Sequence, residues 1–182
     1  MVFTAEEKKV LLKLARDTIQ FKLENRKNVC FREKGKNFVR RSGAFVTLHT
    51  KDGNLRGCIG NMVSDKPLYK TIIAMAEEAA FNDPRFAPVT LPELKEIKIE
   101  ISVLSPLRKI KNAVEIELGV HGVLVKKGPF SGVFLPQVAV ETGWSLEEFM
   151  NNLCSGKAGL SEDAWKDNKT DIFIFTVEMI SE

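Results

Sequence analysis

Ala44-Phe45-Val46-Thr47-Leu48-His49, then Lys51-Asp52-Gly53-Asn54, then Leu55-Arg56-Gly57-Cys58-Ile59-Gly60-Asn61: this run decides the fold. The first segment has strand composition, and the second is a tight-turn signal of the Asp-Gly type. Leu55 to Ile59 of the third is then the return strand of an antiparallel hairpin. The third segment contains two glycines, and glycine within a strand costs about 0.5–1 kcal/mol relative to alanine. Either the backbone is closely approached here, or a thiol is being presented. Strand alternation sends Leu55, Gly57 and Ile59 toward the core and sets Arg56 and Cys58 on the opposite face.

Outward from the hairpin, apolar periodicity assigns the other elements. Thr4-Ala5-Glu6-Glu7 is a capping box, opening an amphipathic helix over residues 4–24 through Val10, Leu11, Leu14, Ala15 and Ile19. A basic, polar stretch over 25–41 reads as an extended surface connector. Pro67 starts a second helix, with Leu68, Ile72, Met75, Ala76, Ala79 and Ala80 at helical spacing. Asn82-Asp83-Pro84-Arg85-Phe86-Ala87-Pro88 ends it in a stiff loop. Residues 96–104 alternate as a half-buried strand, and 120–138 suit one or two hairpins. Ser145-Leu146-Glu147-Glu148 caps a short helix that Gly156 is placed to stop. Residues 172–179, apolar on both faces, read as one central strand. The sum is an α+β fold with a mixed, largely antiparallel sheet flanked by helices, in a single domain over 1–182.

The chain has 182 residues and a net charge of +3, too small by itself to argue for a polyanionic partner. No apolar run is long enough to span a bilayer, and the N-terminus is no signal peptide. Three cysteines without short spacing (Cys30, Cys58, Cys154) favour free thiols and a cytoplasmic setting. With His49 and His121 they show no ligand spacing, so no metal and no cofactor is expected.

Four features carry chemistry, each with two readings. Cys58 is a thiolate nucleophile favoured by Arg56 and nearby amides, with His49 across the hairpin as its base, or it is an inert thiol in a bulged strand. Asp83-Pro84-Arg85 presents a preorganised arginine to a carboxylate or phosphate, or it braces its own loop. The basic residues of 22–41 (Lys22, Arg26, Lys27, Arg32, Lys34, Lys36, Arg40, Arg41), with Phe31 and Phe38 among them, form an RNA-binding module or a solvated connector. Phosphate loops, dinucleotide fingerprints and serine-nucleophile elbows are absent, so catalysis itself stays open.

The hexapeptide Leu55-Arg56-Gly57-Cys58-Ile59-Gly60 resembles the signature of the AMMECR family. So do Ala79-Ala80-Phe81-Asn82-Asp83-Pro84-Arg85-Phe86, Glu100-Ile101-Ser102-Val103-Leu104-Ser105 and Val133-Phe134-Leu135-Pro136-Gln137-Val138-Ala139, followed by Gly143-Trp144. The resemblance covers nearly the whole chain in order. It implies a larger and a smaller lobe with a cleft between them. A substrate- or partner-binding site there would involve Arg56, Gly57, Gly60, Asp83, Arg85, Pro136, Gln137 and Lys157. It further implies a component of a multi-protein modification system with a Memo-like protein and a radical-SAM enzyme, the AmmeMemoRadiSam type. The chain departs from the family pattern by carrying two residues, Ser155 and Gly156, between Cys154 and Lys157 where one is usual.

Overall fold

The Thr4 capping box forms, and the first helix grows from it. Thr4 Oγ1 accepts the Glu7 N–H (3.2 Å), and the Glu7 carboxylate accepts the Thr4 N–H (2.9 Å). The computed structural model describes residues 2–26 and 29–182. In chain order the elements are α1 (Ala5–Leu23), α2 (Lys36–Val39), β1 (Ala44–His49), β2 (Leu55–Asn61), α3 (Leu68–Phe81), α4 (Leu91–Leu94) and β3 (Lys98–Leu104). Then follow β4 (Arg108–Ile110), β5 (Gly122–Lys127), β6 (Phe130–Phe134), α5 (Pro136–Thr142), α6 (Leu146–Asn152), β7 (Asp171–Phe175) and β8 (Val177–Ser181). The architecture is α+β, with two separate four-stranded antiparallel sheets in place of the single sheet expected from the sequence.

The chain divides into two compact units, residues 1–104 with 178–182, and residues 105–177. In the first, the strand order is β2-β1-β3-β8, which puts β2 at an edge. Val46, Leu48, Ile99 and Ile101 are buried on one face of this sheet. They share a core with Leu11, Leu14, Ala15 and Ile19 of α1 and with the Leu68, Ile72, Met75, Ala76 and Ala79 stripe of α3. Burying such side chains stabilises by about 1.5–3 kcal/mol each. In the second unit the order is β4-β7-β5-β6. Val123, Val125, Ile172 and Ile174 pack there with Phe149, Met150, Leu153 and Cys154.

Three sequence expectations are corrected. Residues 172–179 are two strands in two sheets: β7 stops at Phe175, and the Thr176 N–H donates to Ser105 Oγ (2.9 Å) instead of extending a ladder. Pro136 to Val138 is helical, with Pro136 at the first position of α5, where its missing N–H costs nothing. Gly156 does not stop α6. The chain passes into a π-helical turn, Leu153–Ala158, and ends at Gly159 in the left-handed conformation (φ 67°). Ser155 and Gly156 lie within that turn, whose i→i+5 winding is wider than that of an α-helix.

The glycines of β2 are there for close approach. A Cβ on Gly57 would lie 2.3 Å from the Ala79 carbonyl oxygen of α3, a backbone atom that cannot yield. A Cβ on Gly60 would meet the Phe45 ring at 2.2 Å and the Ala44 carbonyl oxygen, again a backbone atom, at 2.7 Å. Gly57→Ala and Gly60→Ala are therefore each expected to lower stability by about 1–3 kcal/mol. Urea unfolding midpoints of the two variants check this, and a variant as stable as the native chain would contradict the close approach.

Candidate functional site

The hairpin turns at Lys51–Asn54 as its sequence demands, with Gly53 at φ 83°, but it contains a bulge. Leu48 pairs with Gly57 and His49 with Leu55, so Arg56 is the extra residue. The bulge breaks the alternation: Leu55, expected in the core, is 42% exposed, while Ile59 does pack against it. The register also bears on the base expected for Cys58. Thr47 is opposite Cys58, and its hydroxyl donates to the Cys58 sulfur (3.3 Å), whereas His49 stands opposite Leu55. Thr47 was missed because only the register identifies it.

Because β2 is an edge strand, the Cys58 peptide groups turned away from β1 need another partner. Side chains from the loop after α3 supply it. Cys58 N–H donates to Asp83 Oδ2 (2.9 Å), and Arg85 Nη2 donates to the Cys58 carbonyl (3.1 Å). Asp83 also accepts the Arg85 N–H (3.1 Å), Arg85 Nε (2.9 Å) and Arg85 Nη2 (2.7 Å). Four donors thus converge on one carboxylate, about its full capacity. Asp83 is 3% exposed, yet the Arg85 side chain remains 53% exposed. The Arg85 guanidinium, foremost, holds the Asp83 carboxyl well below the usual carboxylate range; burial opposes it, and the Cys58 and Arg85 amides assist.

Arg56 reaches the same loop from the strand side. Its Nε pairs with Glu93 Oε1 (3.0 Å) and its Nη2 donates to the Ala87 carbonyl (2.8 Å). Both guanidinium carbons lie within 6 Å of the Phe86 ring centroid, Arg85 at 5.4 Å and Arg56 at 5.9 Å. The other Glu93 oxygen accepts Thr90 N–H and Thr90 Oγ1, both at 2.9 Å, in a capping box for α4. Glu93 also escaped the sequence reading, although Thr90-Leu91-Pro92-Glu93 carries the capping signature. Each arginine has its own carboxylate, so this surface offers fixed hydrogen-bond donors more than net positive charge.

Three further candidates belong to the second unit. Pro136 and Gln137 open α5, and Lys157 sits in the π-helical turn with its Nζ 6.0 Å from the Phe134 ring centroid. Cys154 is fully buried there, and burial pushes its thiol up. Phe31 and Phe38, interleaved with the basic residues in sequence, are engaged in packing. Phe38 is a core residue, and Phe31 stacks on Tyr69 (4.7 Å between centroids) and meets Phe38 edge-on (5.4 Å). Lys27 lies outside the described residues. Among the described residues no group of three or more His, Cys, Asp or Glu is placed to hold a metal, and no helix is long and apolar enough to cross a membrane.

The lowered Asp83 pKa fixes a sign. A carboxylate depressed in the folded state contributes stability that is fully present above its unfolded pKa of about 3.9 and is lost as pH falls toward the folded value. The stability difference between the native chain and Asp83→Asn should be constant near neutrality and shrink steadily below about pH 4. Urea midpoints measured down the pH scale test this; a difference that grows on acidification would contradict the geometry.

Comparison with known proteins places the chain. A family model described as AMMECR1 matches residues 12–180. Protein NEQ441 of Nanoarchaeum equitans is 39% identical over 178 residues, covering 94% of this chain and 98% of that protein. Protein MK0488 of Methanopyrus kandleri is 42% identical, covering 98% and 90%. The crystal structure of an uncharacterized protein, PH0010 from Pyrococcus horikoshii, superposes with a TM-score of 0.86 at 37% identity, covering 99% of this chain and 93% of that one. The chain belongs to the AMMECR1 family.

Proposed function

We propose that this protein is a substrate- or partner-binding component of a multi-protein modification system, and that Arg85, braced by Asp83 against Cys58, is its recognition group. The observation that carries the reading is the contrast within one ion pair. Asp83 is buried with every acceptor position engaged, while the Arg85 side chain stays about half exposed. A guanidinium held along one edge has little conformational freedom left to lose when the rest of its fork meets a ligand. Its charge is already balanced, so the group it suits is a single carboxylate or carbonyl on a substrate or partner, bound through directed hydrogen bonds. The resemblance of the sequence motifs supports a Memo-like protein and a radical-SAM enzyme as the partners.

The test mixes the full chain with purified Memo-like and radical-SAM proteins and measures association. Arg85→Ala is expected to weaken it by about tenfold or more, with Arg85→Lys intermediate, because lysine keeps the charge but loses the fork. Cys58→Ser should leave association nearly unchanged. Variants that fold normally by circular dichroism and associate as well as the native chain would overturn the proposal. Loss of association in Cys58→Ser alone would shift the role to the thiol.

A further inference from the structure

The chain has eight arginines, and they divide sharply. Arg16, Arg26, Arg56, Arg85 and Arg108 each pair with a carboxylate. The other three, Arg32, Arg40 and Arg41, lie within ten residues of one another and enter no ion pair among the described residues. Lys34 and Lys36 stand between them and are likewise unpaired. This segment holds five cations against one anion, Glu33, in a chain whose net charge is only +3. Arg32, Lys34, Lys36 and Arg41 are exposed, and Arg40 is half-buried.

The fold enlarges this concentration. The Arg40 carbonyl accepts the Leu68 N–H (2.8 Å), and Arg41 forms a bridge with Pro67, so α2 is tied to the start of α3. Lys66 and Lys70, both exposed and without an ion pair among the described residues, flank that junction; the acids beside it are Asp65, next to Lys66, and Glu7, whose carboxylate accepts from Asn37 of α2. Unpaired like charges gathered at one place repel one another, by amounts that salt only partly screens. Within the patch Val39, on α2 beside Arg40, is 57% exposed. The aromatic rings of this segment are taken up by packing inside, as shown above for Phe31 and Phe38.

From this we infer a second interaction surface, formed by α2 with the start of α3, whose occupant is the acidic surface of a partner protein with an apolar group at its centre. Charge complementarity sets the acidic character. An exposed valine within a cationic rim matches the apolar-centre, polar-rim anatomy of protein interfaces. Single-stranded nucleic acid would need exposed rings on which to stack its bases, and the rings here are engaged. This surface does not depend on Arg85 and stands or falls separately from the function proposed above.

Fluorescence anisotropy on the full chain tests it with two labelled probes, a soluble Glu-rich peptide with interspersed leucines and poly(U) RNA of equal charge. The peptide should bind more tightly than the RNA, and binding should weaken as salt rises. The triple variant Lys36→Glu, Arg40→Glu, Arg41→Glu should lose about tenfold or more. Val39→Ser should lose about fivefold for the peptide, and Arg85→Ala nothing. Should the triple variant fail to fold by circular dichroism, Lys36→Gln with Arg41→Gln is read in its place, with a smaller loss of the same sign. Failure of the peptide to bind, equal or tighter binding of poly(U), or variants that bind like the native chain would each overturn the inference.

Discussion

A single carboxylate, that of Asp83, joins the edge of a sheet to the loop that follows a helix, and the geometry of the candidate site follows from it. An edge strand must satisfy or expose its outward peptide groups. Here Asp83 and Arg85 stand in for a neighbouring strand, one accepting from the Cys58 amide and the other donating to its carbonyl. The same two residues close the loop upon itself through the Arg85 amide. Placement of the strand, shape of the loop and orientation of the guanidinium are therefore one constraint. Burial of the carboxylate strengthens this constraint, since four donors offset the desolvation that would otherwise make it costly.

Much of this was legible from residue types. The Asp52-Gly53 turn, the Thr4 and Ser145 capping boxes and the α3 stripe announced themselves, because their causes are local. Cys58, Asp83 and Arg85 were marked as chemistry-bearing, but their mutual arrangement was not, since it joins residues 25 and 27 positions apart. The Asp83–Arg85 pair braces its loop while the arginine side chain stays half exposed. The bulge at Arg56 was invisible because one additional residue leaves composition unchanged while altering which side chains face each other. The packing of Phe31 and Phe38 is hidden from the sequence for the opposite reason. Charged neighbours dominate their local sequence, but tertiary packing claims the rings.

In the second unit the π-helical turn over Leu153–Ala158 keeps Leu153, Cys154 and Ala158 buried and leaves Ser155, Gly156 and Lys157 exposed, a winding that residue types alone do not announce. The split of residues 172–179 belongs to the same class of effect. Both halves are apolar enough for strands, and only the Ser105–Thr176 contact reveals that they serve different sheets.

The path of the chain through the two units sets an order of assembly. Residues 105–177 are continuous, so their core is complete as soon as that stretch has been synthesised. The first unit is not. Its sheet awaits β8, the Phe3 amide awaits the Glu178 carboxylate, and Arg16 and the Ile99 amide await Glu182. The hairpin that carries Cys58 precedes the second unit in the chain, yet the sheet behind it closes only with β8, which follows that unit. Presentation of the site is thereby coupled to contacts made across the whole of the inserted unit in sequence.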